Sequence, residues 1–341
     1  MIHRYQNNGY NIVLDVNSGA VHLVDEPTYK LLELLDENLE QMEETCPADL
    51  IQALSGEYNK QTVIDIYNEL LDLYHAGQLF SCDDYEQFAD KMGHSPLKAM
   101  CLHVTHDCNL RCKYCFAGQG VYGGEKKLMS QKAALSAIDF LIEKSEGRRN
   151  LEMDFFGGEP LMNFDVIKKT VEYGRSLEKK HNKVFRFTTT TNGVLLNEEI
   201  ADFLNREMNN VVLSLDGRRN VNDAMRPNAG GKGSYDSIMP KYRHFVTIRG
   251  DKDYYVRGTF TKNNLDFTQD VLHMADLGFD QLSVEPVVSE PNLPFSIRED
   301  DLPRVFDEYD HLAQIMLERK KTGKSFNFFH FMIDLEQGPC A

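Results

Sequence analysis

The stretch THDCNLRCKYCFA, residues 105–117, contains three of the seven cysteines of this 341-residue chain. Cys108, Cys112 and Cys115 are spaced C-x3-C-x2-C. A structural zinc site usually takes four ligands in two pairs, and no second pair accompanies these three. A cubane iron–sulfur cluster takes one thiolate at each of its four irons, so three thiolates on one loop would leave one iron open to a small molecule. The spacing therefore favours an iron–sulfur cluster with a catalytic role over a structural metal site.

The composition and charge of the chain disfavour several classes of protein. Its formal net charge is −16, with 42% apolar and 26% charged residues, so the chain as a whole repels nucleic acid and anionic membranes. The N-terminus MIHRYQNNGYNIVLDV lacks the layout of a signal peptide, and no apolar run reaches the about 18 residues of a membrane span. We therefore expect a cytoplasmic protein with no nucleic-acid or membrane partner, in a reducing compartment where clustered cysteines more often bind metal than form disulfides.

Residues 1–80 form a distinct segment at the start of the sequence. IVLDV and VHLVD are short β-rich runs separated by the turn residues Asn17-Ser18-Gly19. Three helical patterns follow, the last of which ends at Gly77, and QLF after it resembles a returning strand. This content predicts a winged-helix-like domain over residues 1–85, whose acidic side chains disfavour DNA binding. We assign residues 86–97 to a polar linker.

From residue 98 onward, apolar strand-like runs alternate with amphipathic helical stretches. Strands that alternate with helices of about 10 or more residues indicate parallel βαβ units. Six consecutive units form either an open doubly wound sheet or most of a (β/α) barrel, so we predict an α/β fold. The six strand-like runs are KAMCLHVT, LEMDFF, VFRFTTTT, NVVLSL, YYVRGTF and FDQLSVEPVV.

Polar and glycine-containing clusters lie on these predicted strands or in the loops directly after them. In barrels and open α/β sheets the chemistry gathers at the carboxyl ends of the strands. Each cluster alone is typical of an ordinary turn, but together they predict a site on one rim of the sheet. After the cysteine loop come GGEP (157–160), TNG (191–193), Asp216-Gly217, Arg257 on the fifth strand and Glu285-Pro286 at the end of the sixth.

These motifs resemble those of the radical S-adenosylmethionine (radical SAM) superfamily. The resemblance rests on C-x3-C-x2-C with an aromatic residue before the last cysteine, and on GGEP one strand later; it covers residues 98–320. It implies a partial (β/α)6 TIM-like barrel over residues 98–322. It also implies a [4Fe-4S] cluster on Cys108, Cys112 and Cys115, whose fourth iron is chelated by S-adenosylmethionine.

The resemblance also implies roles for the residues that would hold S-adenosylmethionine. Reductive cleavage of this cofactor would yield a 5′-deoxyadenosyl radical that abstracts a hydrogen atom from the substrate. The implied positions are Tyr114 near the adenine; Gly157, Gly158 and Glu159 at the amino group; Asn192, Ser214 and Asp216 at the ribose or carboxylate; and Arg226 and Arg257 at the carboxylate.

Within the superfamily, LSLDG followed by ND and RP is similar to the SPASM-type branch, which modifies peptides and carries auxiliary iron–sulfur clusters in a C-terminal domain. Residues 1–85 resemble the element with which maturases of ribosomal peptides bind a leader peptide as an added strand. The whole chain looks most like the SCIFF maturases, which join a Cys sulfur to a peptide α-carbon. The expected partners are thus a ribosomal precursor peptide and a reductant such as flavodoxin or ferredoxin. Formylglycine formation, C–C cross-linking and a non-catalytic peptide-binding iron–sulfur protein remain alternatives.

The C-terminal part departs from the pattern of that branch. We expect residues 323–341 to begin the auxiliary-cluster region, and we expect that domain to be absent or truncated in this chain. Cys340 is either a ligand of an auxiliary cluster or a lone terminal thiol. We predict structural roles for Cys46, Cys82 and Cys101. We also predict a flexible loop at AGGKGS (229–234), a strand or packing segment at FNFFHFM (326–332), and a core position for His330.

Overall fold

The computed structural model describes residues 1–37, 39–83 and 95–332. The chain divides into two compact units, one within Met1–Ser95 and one spanning Pro96–Met332. No helix in these described ranges is both long enough and apolar enough to pass through a lipid bilayer.

The N-terminal unit contains a three-stranded antiparallel sheet in the order β1 (Ile2–Asn7), β2 (Tyr10–Asp15) and β3 (Val21–Val24). The sequence analysis identified β2 and β3 but not β1. The signal for β1 is Asn8-Gly9, which joins it to β2 with φ angles of +50° and +79°. Asn-Gly with two positive φ angles is typical of a type I′ hairpin turn.

Three helices follow the sheet: α1 (Glu26–Glu33), α2 (Ala48–Leu54) and α3 (Lys60–His75). Asn59 begins α3 because its side chain accepts a hydrogen bond from the backbone N–H of Thr62, and Gly77 follows the helix with φ of +68°, as predicted. The predicted strand at QLF is wrong. Phe80 has φ of +50°, which no strand residue adopts, and it is buried in the core of this unit.

The C-terminal unit is an α/β domain with a seven-stranded parallel sheet, and the strands lie side by side in sequence order from β4 to β10. This confirms the predicted α/β class and is consistent with a partial TIM-like barrel. The strands are β4 (Ala99–Thr105), β5 (Asn150–Gly157), β6 (Val184–Thr191), β7 (Asn210–Ser214), β8 (Tyr254–Phe260), β9 (Gln281–Pro286) and β10 (Asn327–Phe328). The helices are α4 (Gln131–Lys144), α5 (Phe164–His181), α6 (Glu198–Glu207), α7 (Arg219–Met225), α8 (Tyr235–Arg249), α9 (Phe267–Asp276) and α10 (Leu302–Lys321).

One face of this sheet packs against the helices, and the other face is more polar and more exposed. On β6, Phe185, Phe187 and Thr189 are buried, whereas Arg186 and Thr188 between them are exposed or half-buried. The buried side chains join those of the helices in one large apolar core. Because all seven strands are parallel, the loops that follow their carboxyl ends gather on one rim.

The segment FNFFHFM contributes β10, which pairs with β9 in parallel, and then one turn of 3₁₀-helix, Phe329–Phe331. The prediction that His330 is a core residue is wrong: 23% of its side chain is exposed, and its ring makes polar contacts described below. AGGKGS is a loop that leads into α8, as predicted. Of the cysteines interpreted as structural, Cys46 packs against the N-terminal core, but Cys82 and Cys101 are exposed.

Candidate active site

A cavity of about 510 Å³ opens at the carboxyl ends of the strands of the C-terminal unit. It contains nearly all of the site residues that the sequence predicted, although they come from loops as far apart in sequence as residues 108 and 257. Asp216 lies next to this set, in contact with Tyr114, and Cys340 lies outside the described residues. The predicted residues that line the cavity are Cys108, Cys112, Tyr114, Cys115, Gly157, Gly158, Glu159, Asn192, Ser214, Arg226 and Arg257.

Backbone hydrogen bonds hold the cysteine loop against the GGEP segment. The N–H of Gly158 donates to the carbonyl of Thr105 at 3.0 Å, and the N–H of Glu159 donates to the carbonyl of Asp107 at 2.9 Å. A Cβ at position 158 would overlap the backbone of Asp107. Glycine at this position therefore allows two backbone segments to approach more closely than any side chain permits.

The far side of the cysteine loop is held in the same manner by the segment after α7. The N–H of Arg111 donates to the carbonyl of Pro227 at 2.7 Å, and that of Lys113 donates to the carbonyl of Met225 at 2.9 Å. The loop is thus fixed on both sides before any ligand binds, which lowers the entropic cost of ordering it.

The environment of the three thiols favours metal binding over free thiolate chemistry. Burial raises the pKa of Cys108 to about 11 and also raises the pKa of Cys112. Without a cation these thiols stay protonated at neutral pH, and a bound metal would displace the protons. In the described ranges no three His, Cys, Asp or Glu side chains converge on a point that would hold a single ion. A cubane cluster does not require such convergence, because each thiolate binds a different iron.

Glu159 joins the end of β5 to the end of β6. Its Oε1 accepts hydrogen bonds from Thr191 Oγ1 at 2.7 Å and from the N–H of Leu161 at 3.1 Å, and its Oε2 accepts one from the N–H of Asn192 at 2.7 Å. The residue is 1% exposed, and burial raises its pKa although these donors lower it. The sequence analysis quoted Thr191 as the first residue of the TNG motif but assigned it no role.

Tyr114, Asp216 and Arg226 form a network below the cysteine loop. The hydroxyl of Tyr114 lies 2.8 Å from both carboxylate oxygens of Asp216, and Arg226 Nη1 donates to that hydroxyl at 2.8 Å. Arg226 Nη1 also lies 3.6 Å from Asp216 Oδ1, and Asp216 is fully buried. Burial raises the pKa of Asp216 despite the charge of Arg226. Arg226 Nε is buried without a hydrogen-bond partner, so this cation can still bind an anionic oxygen.

Asn192 lies beside the first cysteine. Its Nδ2 donates to Asn109 Oδ1 at 2.7 Å and lies 3.6 Å from Cys108 Sγ. Its Oδ1 accepts from the N–H of Val194 at 3.1 Å, and the backbone of this loop follows the left-handed turn at Gly193. The amide can therefore orient Cys108 and donate toward its sulfur.

Arg257 and Glu285 lie on adjacent strands at the opposite wall of the cavity, with Arg257 Nε 3.9 Å from Glu285 Oε1. Glu285 also contacts His330, which in turn contacts Tyr309. The sequence placed Glu285 at the end of a strand, but nothing local to His330 or to Tyr309 on α10 indicates that they meet it.

Comparison with known proteins identifies the domain that carries this cavity. Residues 102–244 match the family model described as the Radical SAM superfamily. Over these residues the C-terminal unit is similar to radical SAM domains. The match includes the cysteine loop, the GGEP segment, Asp216 and Arg226.

Among curated proteins, the chain is 36% identical over 147 residues to an uncharacterized protein of Methanocaldococcus jannaschii, covering 43% of this chain and 48% of that protein. It is 29% identical over 163 residues to a cysteine-type anaerobic sulfatase-maturating enzyme of Clostridium novyi, covering 47% of this chain and 42% of that enzyme. It is 25% identical over 193 residues to the radical SAM cyclopropyl synthase TigE of Paramaledivibacter caminithermalis, covering 52% of this chain and 39% of that enzyme. The aligned regions thus span less than half the length of each of these relatives.

Among solved structures, the native form of anSMEcpe with bound AdoMet matches with a TM-score of 0.62 and 20% sequence identity, over 69% of this chain and 64% of that one. At this identity the match establishes a shared fold. The C-terminal unit therefore shares the fold of a protein whose structure contains bound AdoMet, and its sequence is similar to those of a sulfatase-maturating enzyme and a radical SAM cyclopropyl synthase.

Proposed function

We propose that this chain is a radical SAM maturase of a ribosomally synthesised, cysteine-rich peptide, and that it forms a thioether between a Cys sulfur and a peptide α-carbon. The observation that carries the proposal is a single cavity lined by three thiols, by the backbone of Gly157 and Gly158, and by the incompletely paired cation Arg226. In this proposal Cys108, Cys112 and Cys115 hold a [4Fe-4S] cluster, which fits their spacing on one loop and their position at one wall of the cavity.

The polar groups around the cavity fit S-adenosylmethionine. Arg226 Nε is the unpaired donor that a carboxylate would satisfy, and the segment of Gly157, Gly158 and Glu159 at the strand end is assigned to the ammonium group. Arg257 is a second candidate for the carboxylate. Asn192, Ser214 and Asp216 are assigned to the ribose or the carboxylate, and the ring of Tyr114 to the adenine, with its hydroxyl held by Asp216.

When bound, the cluster and S-adenosylmethionine supply a 5′-deoxyadenosyl radical after one-electron reduction by a flavodoxin or ferredoxin. The chain's own residues orient the cofactor and exclude water. Hydrogen bonds fix the cysteine loop and link Tyr114, Asp216 and Arg226 in a network. Both would hold the cofactor in one orientation. Cys340 is assigned to an auxiliary cluster.

Anaerobic reconstitution with iron and sulfide tests the proposal. We expect the protein to take up iron, to show the absorbance and EPR spectra of a [4Fe-4S] cluster, and to produce 5′-deoxyadenosine when given S-adenosylmethionine and dithionite. We expect Cys112→Ala to lose both the cluster and this product, whereas Cys82→Ala, in an exposed thiol outside the cavity, should retain both. A wild-type protein that takes up iron but yields no 5′-deoxyadenosine would instead indicate the non-catalytic peptide-binding alternative.

The winged-helix-like N-terminal domain, residues 1–85, is assigned to the leader peptide. Within the described ranges β3 pairs only with β2, so one edge of β3 has backbone groups that an added strand could pair with. Leu23 on this strand is 68% exposed, which provides an apolar contact beside that edge.

A charged side chain at the edge of β3 should weaken leader binding. We expect Leu23→Asp to raise the dissociation constant of a fluorescently labelled precursor peptide at least about tenfold, since burial of a leucine contributes about 1.5–3 kcal/mol. Leu34→Asp, at a 47% exposed leucine after α1, is the matched control. Fluorescence anisotropy measures the affinity, and 5′-deoxyadenosine formed without peptide should be the same in both variants. Equal peptide affinity in the two variants would contradict the assignment of β3.

A second candidate is oxidation of a Cys or Ser side chain to formylglycine, which the similarity to the Clostridium novyi sulfatase-maturating enzyme supports. Mass spectrometry of a cysteine-containing substrate peptide before and after the reaction distinguishes the two. Thioether formation removes two hydrogen atoms and keeps the sulfur, whereas formylglycine formation from Cys replaces the thiol by an aldehyde oxygen. C–C cross-linking also removes two hydrogen atoms but leaves the Cys thiol free to react with iodoacetamide.

A further inference from the structure

The wall of the cavity opposite the cysteine loop contains a chain of hydrogen bonds that the proposed cofactor roles do not use. Glu285, at the end of β9, lines the cavity, and its Oε1 accepts a hydrogen bond from Ser283 Oγ at 2.6 Å. Its Oε2 lies 2.7 Å from Nε2 of His330, and His330 Nδ1 lies 2.9 Å from the hydroxyl of Tyr309. If Nε2 carries the ring proton and donates it to Glu285, then Nδ1 is the acceptor for Tyr309.

This arrangement keeps Glu285 ionised. Burial raises the pKa of Glu285, but the hydrogen bonds from Ser283 and His330 and the nearby charge of Arg257 outweigh it, so the pKa lies below its usual value. Tyr309, on α10, contacts His330 and not Glu285 itself. Burial raises the pKa of its hydroxyl to about 12, so the hydroxyl remains a neutral donor. At neutral pH the cavity thus contains a carboxylate with a fixed orientation.

The candidate reactions require a group that accepts a proton. Thioether formation, formylglycine formation and C–C cross-linking each oxidise the peptide by two electrons and remove two hydrogens from it. One hydrogen leaves as an atom; the other leaves as a proton, together with one electron. Withdrawal of an electron makes the remaining proton far more acidic than the proton of an ordinary thiol. A carboxylate is therefore a strong enough base to accept this proton.

Two carboxylates line the cavity in the part of the chain that the structure describes, and their surroundings differ. Glu159 is 1% exposed, and both of its oxygens accept hydrogen bonds from the backbone or from Thr191. Glu285 also lines the cavity, but its side chain is 26% exposed, and its Oε1 accepts a hydrogen bond from one side chain, that of Ser283. Glu285 is therefore the carboxylate that a substrate can reach.

We propose that Glu285 is the proton acceptor of the reaction, and that His330 and Tyr309 are positioning residues that keep its carboxylate oriented toward the cavity. The inference rests on the proposed function. In the thioether reaction the S–H bond breaks, its proton goes to Glu285, the S–C bond forms at the α-carbon radical, and one electron passes to a one-electron acceptor of the iron–sulfur class. In formylglycine formation and in C–C cross-linking, the second hydrogen is transferred as a proton to the same carboxylate.

The test separates hydrogen-atom abstraction from product formation. Reconstituted wild-type enzyme, Glu285→Gln and Glu290→Gln are incubated with S-adenosylmethionine, dithionite and a synthetic cysteine-rich peptide that the wild type modifies. Glu290→Gln is the matched control, since Glu290 is an exposed carboxylate that follows the same strand and does not line the cavity. Modified peptide and 5′-deoxyadenosine are quantified by mass spectrometry and chromatography, together with iron content and melting temperature.

We expect Glu285→Gln to retain its iron, its melting temperature and its rate of 5′-deoxyadenosine formation, but to lose modified peptide per 5′-deoxyadenosine at least about a hundredfold. Glu290→Gln should match the wild type in every measurement. A Glu285→Gln enzyme that modifies the peptide normally overturns the inference and leaves the proposed function intact. A Glu285→Gln enzyme that loses iron or unfolds early overturns it too, because that result indicates a structural role. A wild-type enzyme that gives no modified peptide contradicts the proposed function itself.

The dependence on pH tests the role of His330. In the wild type the yield of modified peptide per 5′-deoxyadenosine should fall only in acid, as Glu285 becomes protonated. In His330→Gln the fall should begin at a higher pH, because loss of the hydrogen bond from His330 raises the pKa of Glu285. Identical profiles for these two proteins would show that His330 does not act through Glu285.

Discussion

Substitution of Gly158 by alanine should destabilise the C-terminal unit through a backbone overlap. A Cβ at position 158 would lie 2.6 Å from the carbonyl carbon of Asp107 and 3.0 Å from Cα of Gly120. Because carbon atoms in contact lie about 3.5–4.0 Å apart, the cysteine loop would have to move by about 1 Å. That movement would weaken the hydrogen bonds that Gly158 and Glu159 donate to this loop. With about 1 kcal/mol for each hydrogen bond and about 1–3 kcal/mol for overpacking, we expect a loss of about 2–4 kcal/mol.

Urea unfolding followed by far-UV circular dichroism measures this loss, and iron content after anaerobic reconstitution measures its effect on the loop. Gly124→Ala is the matched control in the same loop region, since a Cβ there would lie 3.5 Å from the nearest atom, the carbonyl oxygen of Val121. The control should change the free energy of unfolding by less than about 0.5 kcal/mol and should bind iron as the wild type does. If Gly158→Ala unfolds at the same urea concentration as Gly124→Ala and takes up the same amount of iron, the close approach of these segments does not constrain position 158.

The remaining predictions concern two buried carboxylates. Tyr114→Phe removes the hydroxyl that bridges both oxygens of the fully buried Asp216, so it should lower the free energy of unfolding by about 1.5–3 kcal/mol in urea, whereas Tyr10→Phe, at a 49% exposed tyrosine, should change it little. An equal effect of the two would contradict the network. In the N-terminal unit, burial raises the pKa of Asp15, but hydrogen bonds led by that from Ser81 outweigh it, and the net pKa lies below the usual value. Its stabilising contribution is therefore present above the unfolded-state pKa of about 4 and is lost as pH falls through the lower folded-state value. Asp15→Asn should abolish this part of the acid dependence in thermal unfolding between about pH 4 and 2, and an unchanged slope would show that Asp15 does not cause it.

The cavity shows which parts of the site follow from local sequence. The spacing of Cys108, Cys112 and Cys115 places three thiols on one loop whatever the rest of the chain does. GGEP follows a strand that the alternation of apolar residues already indicates. Because parallel strands end on one rim, the sequence also placed Ser214 and Arg257 near these motifs, and the cavity contains both of them.

Contacts between distant segments did not follow from the sequence in the same way. Tyr114 was assigned to the adenine from its position before the last cysteine, and nothing there indicates that its hydroxyl meets Asp216, 102 residues later. His330 was expected in the core because its neighbours are aromatic. In the fold it is partly exposed and contacts Glu285, 45 residues earlier, because β10 pairs beside β9 and brings the following turn to the cavity wall.

The sequence by itself determined the α/β class, the positions of six parallel strands along the chain and the cysteine loop with its candidate metal ligands. These features depend on periodicity and spacing, which local burial and chain direction dictate. The tertiary structure alone decided which donors surround Glu159, Asp216 and Glu285. It encloses the carboxylates of Glu159 and Asp216 and leaves that of Glu285 partly exposed. Such pairings depend on the register and stacking of elements far apart in the chain, and the side chains that meet there leave no periodic signal in the sequence.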